Sequence, residues 1–220
     1  MSKRKRLGER RSRKKLDSRD PDLGYYIILT DTKETEKHYF KGLHDALPLQ
    51  VQDRLRLKII PRVETEYLIE RCVEEIAKDS QYGTPWIILD RDQLSKFDEI
   101  IDEAEQRKIS VGWSNPCFEI WLLTYFSYPP SLHDSVSCCS AFGKEFKRVS
   151  NQEYDKADKD IYRKLIRFGN EEDAVRNATT LYQNTSQREN KKPSNLSPAT
   201  TVHLLVGEIR RKCTNAMDKP

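Results

Sequence analysis

The chain has few glycines and no long apolar run, and both shortages exclude classes of protein. Its 220 residues contain eight glycines, which form neither the G-x-G-x-x-G pattern of dinucleotide-binding folds nor the G-x-x-x-x-G-K-[ST] pattern of P-loops. No apolar run approaches the roughly 20 residues of a membrane-spanning helix. No apolar segment follows the basic amino terminus, as it would in a secretory signal. We therefore expect a cytoplasmic protein with no membrane partner.

The sequence also lacks the spacings of a zinc site or a nucleophilic triad. Its five cysteines include no C-x-x-C pair and no histidine at ligand spacing, which argues against zinc. An odd number of cysteines in a reducing compartment argues against a disulfide framework. The four histidines are scattered, and no Ser-His-Asp or Cys-His arrangement stands out.

Charge is abundant and unevenly distributed. Residues 1–19 carry a net charge of +8, residues 20–140 carry −9 and residues 141–220 carry +5, which leaves the whole chain at +4. Basic segments suit contact with nucleic-acid phosphates, and they are equally typical of solubilising tails and solvated helix faces. An acidic middle between two basic ends is the feature that a functional interpretation has to explain.

Hydrophobic patterning divides the chain into three parts. Residues 1–22 have no periodicity and are predicted to be a disordered basic arm. Residues 23–130 alternate strands and helices with a period of about 30 residues, which favours a parallel sheet with helices on both faces. Residues 131–220 are predicted to be a helical extension packed on that domain. The predicted strands are 25–30, 55–60, 85–89 and 109–113; the predicted helices are 32–47, 65–79, 97–107, 116–126, 142–149, 155–168, 172–183 and 200–213.

Acidic side chains follow three of the predicted strands. Asp31 and Glu36 come after the first, Asp90 and Asp92 after the third, and Glu119 after the fourth. Carboxyl ends of parallel strands share one edge of a sheet, so these carboxylates are expected to meet there and to need a cation such as Mg²⁺. Each acidic segment alone is also typical of a helix N-cap. On that interpretation Asp31 or Thr32 caps the first helix, and Asp92 or Ser95 caps the third.

Several blocks resemble the RloB-like family, which is grouped with abortive-infection proteins of the AbiLii type. They are E-T-E-K-H-Y-F-K-G-L (34–43), I-I-L-D-R-D-Q (87–93) and the most specific one, S-N-P-C-F-E-I-W-L-L (114–123). The resemblance implies a three-layer α/β/α fold of Toprim type. It also implies Mg²⁺ or Mn²⁺ held by Asp31, Asp90 and Asp92, with Glu36 or Glu119 as general base or ligand to a second metal ion. Family members usually have Glu-Gly where this chain has Asp31-Thr32.

The resemblance implies a metal-dependent nuclease that cleaves RNA or DNA as an effector of antiviral defence. The alternative is a non-enzymatic Toprim-like module that binds nucleic acid or a partner defence protein, which the shorter Asp31 side chain favours. Positive charge beside an acidic site suits a bound polyanion, and the candidates for binding nucleic acid are Lys191, Lys192, Arg210 and Arg211. The sequence leaves open the oligomeric state and the choice between RNA and DNA.

Overall fold

A computed structural model of the protein describes residues 22–32, 34–78, 83–92, 94–187 and 192–218. Apart from Asp22, the predicted basic arm lies outside the described residues, and so does Lys191. Asp22 forms an ion pair with Arg54. Among the helices described, none combines the length and the apolar character needed to cross a bilayer.

The centre of the molecule is a five-stranded sheet in the order β2-β1-β3-β4-β5. Strands β1 to β4 pair in parallel, and β5 pairs antiparallel with β4. The four predicted strands are confirmed, whereas β5 was not predicted because a two-residue strand has no periodicity to detect. The strands are β1 Gly24–Thr30, β2 Leu55–Ile60, β3 Thr84–Asp90, β4 Ser110–Asn115 and β5 Ala199–Thr200.

The helices follow the predicted alternation, with different boundaries. They are α1 Thr35–Asp45, α2 Leu49–Gln52, α3 Leu68–Lys78, α4 Phe97–Gln106, α5 Glu119–Leu123, α6 Ser135–Ser150, α7 Ile161–Phe168, α8 Glu171–Ser186 and α9 Val202–Met217, with short 3₁₀ turns at Thr65–Tyr67 and Pro193–Asn195. The helix predicted over 116–126 is shorter than expected. The helix predicted over 142–149 begins earlier because the Asp134 carboxylate accepts a hydrogen bond from the Ser137 amide (2.8 Å) and caps it.

Each face of the sheet is buried under its own layer of helices. Alternate strand residues such as Tyr26 and Ile88 pack with α1, α5 and α9 in one hydrophobic cluster. Their neighbours such as Ile27 and Leu89 pack with α3 and α4 in another. Burial on both faces explains why the strands are continuous apolar runs. The mixed α/β architecture, with a mostly parallel sheet between helical layers and a helical carboxyl-terminal part, is confirmed.

The carboxyl-terminal helices join the larger cluster through a partly buried polar network. The Glu171 carboxylate accepts hydrogen bonds from the hydroxyls of Tyr125 (3.0 Å) and Tyr162 (2.7 Å) and forms an ion pair with Arg210. Tyr125 also shares a hydrogen bond with Tyr39 of α1 (2.8 Å). One carboxylate therefore ties α1, α7 and α9 to the segment after α5. The division into domains at residue 130 stays a prediction.

Replacing Glu171 tests this network. Glu171→Ala leaves two hydroxyls and a guanidinium without their acceptor, and we expect the free energy of unfolding to fall by about 2–3 kcal/mol. Urea denaturation followed by circular dichroism measures the change. The matched control is Glu172→Ala, one residue further along the helix and exposed, which should change stability by less than about 0.5 kcal/mol. Equal stability of the two variants would contradict the role given to Glu171.

Candidate metal centre

The predicted site residues reach one edge of the sheet from four elements. Strands β1 and β3 are direct neighbours, so their carboxyl ends deliver Asp31 and Asp90 side by side. Glu36 lies in the first turn of α1, and Glu119 is the first residue of α5. The charges of Glu36, Asp31 and Glu119 all act on Asp90, which places the four carboxylates within electrostatic range of one another.

Asp90 is the residue around which this cluster is arranged. It ends β3, whose preceding residues are buried, and its Oδ1 atom is buried with no hydrogen-bond partner among the described residues. Burial first, and then the charges of Glu36, Asp31 and Glu119, hold the pKa of Asp90 well above its ordinary value. A buried carboxylate oxygen without a donor is costly unless a ligand satisfies it.

Asp31 and Glu36 share this environment. Burial raises the pKa of Asp31 to about 6, although a hydrogen bond from the Thr65 side chain opposes the shift. Burial, with the charges of Asp31 and Glu119 adding to it, raises the pKa of Glu36 to about 7. The Thr32 hydroxyl donates a hydrogen bond to Glu36. Each of these carboxyls exchanges its proton close to neutral pH.

Glu119 differs from its neighbours because it has a cationic partner. Burial acts to raise its pKa, but the charge of Lys156 and hydrogen bonds from Cys117 and Lys156 outweigh burial, so the pKa lies below its usual value. The Lys156 ammonium lies 3.1 Å from Oε1 of Glu119, and the Tyr154 hydroxyl donates to the same atom at 3.0 Å. Glu119 is therefore a fixed, ionised carboxylate.

Asp92 lies at the outer edge of the cluster. Its φ of +27° is unusual for a residue other than glycine, and its amide donates to the Pro116 carbonyl at 2.9 Å. Its carboxylate is exposed, accepts a hydrogen bond from Ser135 (2.7 Å) and acts electrostatically on Asp31. The turn after β3 thus leaves the Asp92 carboxylate within electrostatic range of Asp31.

The interpretation of these residues as helix caps is wrong. The residue at the N-cap position of α1 is Glu34, and that of α4 is Lys96; neither caps its helix through a side-chain hydrogen bond. Asp31 and Asp92 both precede those positions. Their carboxylates therefore lie at the edge of the sheet and do not cap the helix termini.

The chemistry of these carboxylates suits a hard divalent cation, but among the described residues no three of them bring one oxygen atom each within 4.8 Å of one another. Asp31, Asp90 and Asp92 would supply the oxygen ligands that Mg²⁺ prefers, with Glu36 adjacent. A cation there would reach the Asp90 oxygen that has no donor and would offset the repulsion that raises the pKa values of Asp31, Glu36 and Asp90. Binding of Mg²⁺ or Mn²⁺ by Asp31, Asp90 and Asp92 stays a prediction.

Several residues at this edge were not anticipated, because they come from the carboxyl-terminal part. Tyr154, Lys156 and Ser135 contact the acidic residues across more than 30 positions of sequence, and no local pattern signals such contacts. Asn115, which ends β4, is bound to a different part of the chain. Its side chain donates to the carbonyls of Pro193 and Ser194 (both 3.1 Å) and holds the turn that precedes β5.

The residues predicted to bind nucleic acid have different surroundings in the structure. Arg210 is partly buried, forms an ion pair with Glu171 and donates a hydrogen bond to Tyr162. Arg211 lies exposed on α9, and Lys192 precedes the turn held by Asn115. Their binding of nucleic acid stays a prediction.

The fold and site define a class: a mixed α/β protein with a carboxylate cluster at the carboxyl edge of a parallel sheet. The sequence model of the RloB-like protein family matches residues 26–209, a span that includes every carboxylate of the cluster. The chain belongs to the RloB-like family. Neither a curated protein nor a solved structure matches it.

The raised pKa values predict how stability depends on pH when metal is removed. Carboxyls with pKa values of about 6 and 7 keep protons that the unfolded chain releases near pH 4, so this contribution to stability is lost as pH rises from about 4 through 7. In EDTA, Asp90→Asn removes a carboxyl whose pKa in the folded protein lies well above its value in the unfolded chain, and with it that carboxyl's part of the pH-dependent loss. We expect the variant to gain about 2 kcal/mol over wild type at pH 8 and much less at pH 5.

Urea denaturation of both proteins across this range measures the difference. Burial lowers the pKa of His203 to about 4, but that contribution cancels because both proteins share His203. Asp102→Asn on the exposed side of α4 is the matched control and should follow wild type. A difference between wild type and Asp90→Asn that does not change with pH would contradict the raised pKa of Asp90.

Proposed function

We propose that the protein is a divalent-cation-dependent nuclease that cleaves RNA or DNA in antiviral defence of the abortive-infection kind, on a Toprim-like arrangement of the sheet. The observation that carries the proposal is the buried Asp90 oxygen with no donor, placed among Asp31, Glu36 and Glu119. Such a cluster is better suited to a cation and a phosphate than to packing. The family assignment supports the link to defence.

The residues of the cluster divide the chemistry between them. Asp31, Asp90 and Asp92 would hold the cation; when bound, Mg²⁺ or Mn²⁺ stabilises charge on a phosphate and makes water more acidic. Glu36 is the general base, because a pKa of about 7 suits proton transfer at neutral pH. Glu119 is ionised and fixed by Lys156 and Tyr154, which suits a ligand or orienting group better than a proton acceptor.

The surface also has a basic groove, which none of the cluster's carboxylates lines. It has a volume of about 690 Å³ and lies between α1 and α7, and its lysines and arginines outnumber its two aspartates. One of its lining residues is Lys37, which follows Glu36 in the sequence of α1. A nucleic-acid strand bound there would have its phosphates near cations. The basic side chains are Lys37, Lys41, Lys159, Arg163 and Arg167.

The groove is also compatible with a second, non-enzymatic function. A basic groove binds a phosphate backbone whether or not the carboxylates cleave it, so a non-enzymatic module that binds nucleic acid or a partner defence protein would use the same surface. Asp31 is one methylene shorter than the glutamate usual in the family, which favours this candidate. Cation binding separates the two functions.

Cleavage assays with RNA and single- and double-stranded DNA pools in Mg²⁺ or Mn²⁺ test the nuclease. We expect Asp90→Asn to lower the rate at least about 100-fold, because loss of a metal ligand should exceed the effect of losing an outer-shell partner. Asp102→Asn is the control and should match wild type. Equal cleavage by Asp90→Asn and wild type would contradict the role of Asp90 as a metal ligand. If the wild type neither cleaves nor binds Mn²⁺ in calorimetry, the non-enzymatic binding module is favoured.

Substitutions in the groove test the path of the nucleic acid. Lys41→Ala and Arg163→Ala each remove a phosphate contact, so affinity should fall for all sequences alike and the slope of log affinity against log salt should decrease by about 1 for each. Fluorescence anisotropy with a labelled oligonucleotide measures both. Lys108→Ala, exposed before β4 at the opposite edge of the sheet, is the control. An unchanged salt slope in both groove variants would place the nucleic acid elsewhere.

A further inference from the structure

Two thiols and a carboxylate converge beside the acidic cluster. Cys117 lies between β4 and α5, Cys139 lies in α6, and their Sγ atoms are 3.9 Å apart. One carboxylate oxygen of Glu119 completes a group whose three ligand atoms all lie within 4.8 Å of one another. The sequence argued against zinc because these cysteines are 22 positions apart and form no spaced pair. The packing of α6 against α5 brings them together.

The distance between the two sulfur atoms matches that between two thiolates bound to one tetrahedral metal ion such as Zn²⁺. In a tetrahedral site with Zn–S bonds of about 2.3 Å, two thiolates lie about 3.8 Å apart, and a carboxylate oxygen bonded at about 2.0 Å lies about 3.5 Å from each sulfur. Hard cations such as Mg²⁺ prefer oxygen ligands throughout. The group therefore differs in chemistry from the carboxylate cluster, although Glu119 borders both.

Charge and surroundings complete the match. Two thiolates and one carboxylate carry −3, a divalent cation carries +2, and Lys156 beside Glu119 supplies the remaining +1. Lys156 and the Tyr154 hydroxyl both hold Oε1 of Glu119, as outer-shell partners hold the carboxylate ligands of metal sites. Cys117 is buried and Cys139 is partly exposed, so a cation has an approach from solvent on the α6 side.

We propose that Cys117, Cys139 and Glu119 bind a thiophilic divalent cation, Zn²⁺ being the biological example, with water in the fourth position. Binding displaces the two thiol protons to solvent, and no oxidant or reductant is needed. The bound cation links the Cys117–Glu119 turn to α6 and keeps Glu119 in place. The proposal is independent of nuclease activity, since it concerns binding alone.

Titration with Co²⁺ tests the site, because thiolate ligands give Co²⁺ a charge-transfer absorption that oxygen ligands do not. The full chain is reduced with a phosphine, and excess Mg²⁺ is kept present to compete for the carboxylate cluster. We expect the absorption to saturate at one equivalent of Co²⁺ and to disappear when one equivalent of Zn²⁺ is added. Cys139→Ser should bind Co²⁺ at least about 10-fold more weakly.

The matched control is Cys213→Ser, which alters a cysteine of α9 remote from the group and should retain the wild-type titration. Circular dichroism confirms that each variant is folded, and Cys139→Ala replaces Cys139→Ser if the latter is not. No charge-transfer band in folded, reduced wild type would overturn the proposal. So would a band that survives unchanged in the folded Cys139 variant.

Discussion

The parallel pairing of β1 with β3 is the constraint on which the rest of this molecule depends. It places the ends of two buried apolar strands next to each other, so that Asp31 and Asp90 leave the sheet at the same edge. Two helices then add Glu36 and Glu119 at their first turns. Like charges gather here because of strand order, and no local rule of helix capping accounts for them.

This gathering opposes folding, and the remainder of the structure has to offset it. The sheet is buried on both faces by two hydrophobic clusters, and the polar network around Glu171 fastens the carboxyl-terminal helices to α1. Lys156 neutralises one carboxylate of the four. Buried carboxylates that repel one another lower the stability of the fold. Proteins commonly retain such destabilising groups where they bind a ligand.

Sequence patterns predict the fold better than they predict the site. Strand β3 is a continuous apolar run ending in Asp90, so both its burial and the position of the carboxylate follow from the chain itself. Ser135, Tyr154, Lys156 and Cys139 reach the edge only through the packing of α6 and the segment after it. Periodicity describes which face of an element is buried; it holds no information about which distant segment covers that face. The groove between α1 and α7 was missed for the same reason.

Glu119 borders both candidate sites, so its negative charge acts on both of them. Its charge contributes to the raised pKa values of Asp90 and Glu36, while its own charge is stabilised by Lys156. A cation bound to Cys117, Cys139 and Glu119 would draw that negative charge away from the acidic cluster and ease the ionisation of Glu36 and Asp90. By linkage, each site would change the other's affinity by the same factor, with Glu119 as the shared group.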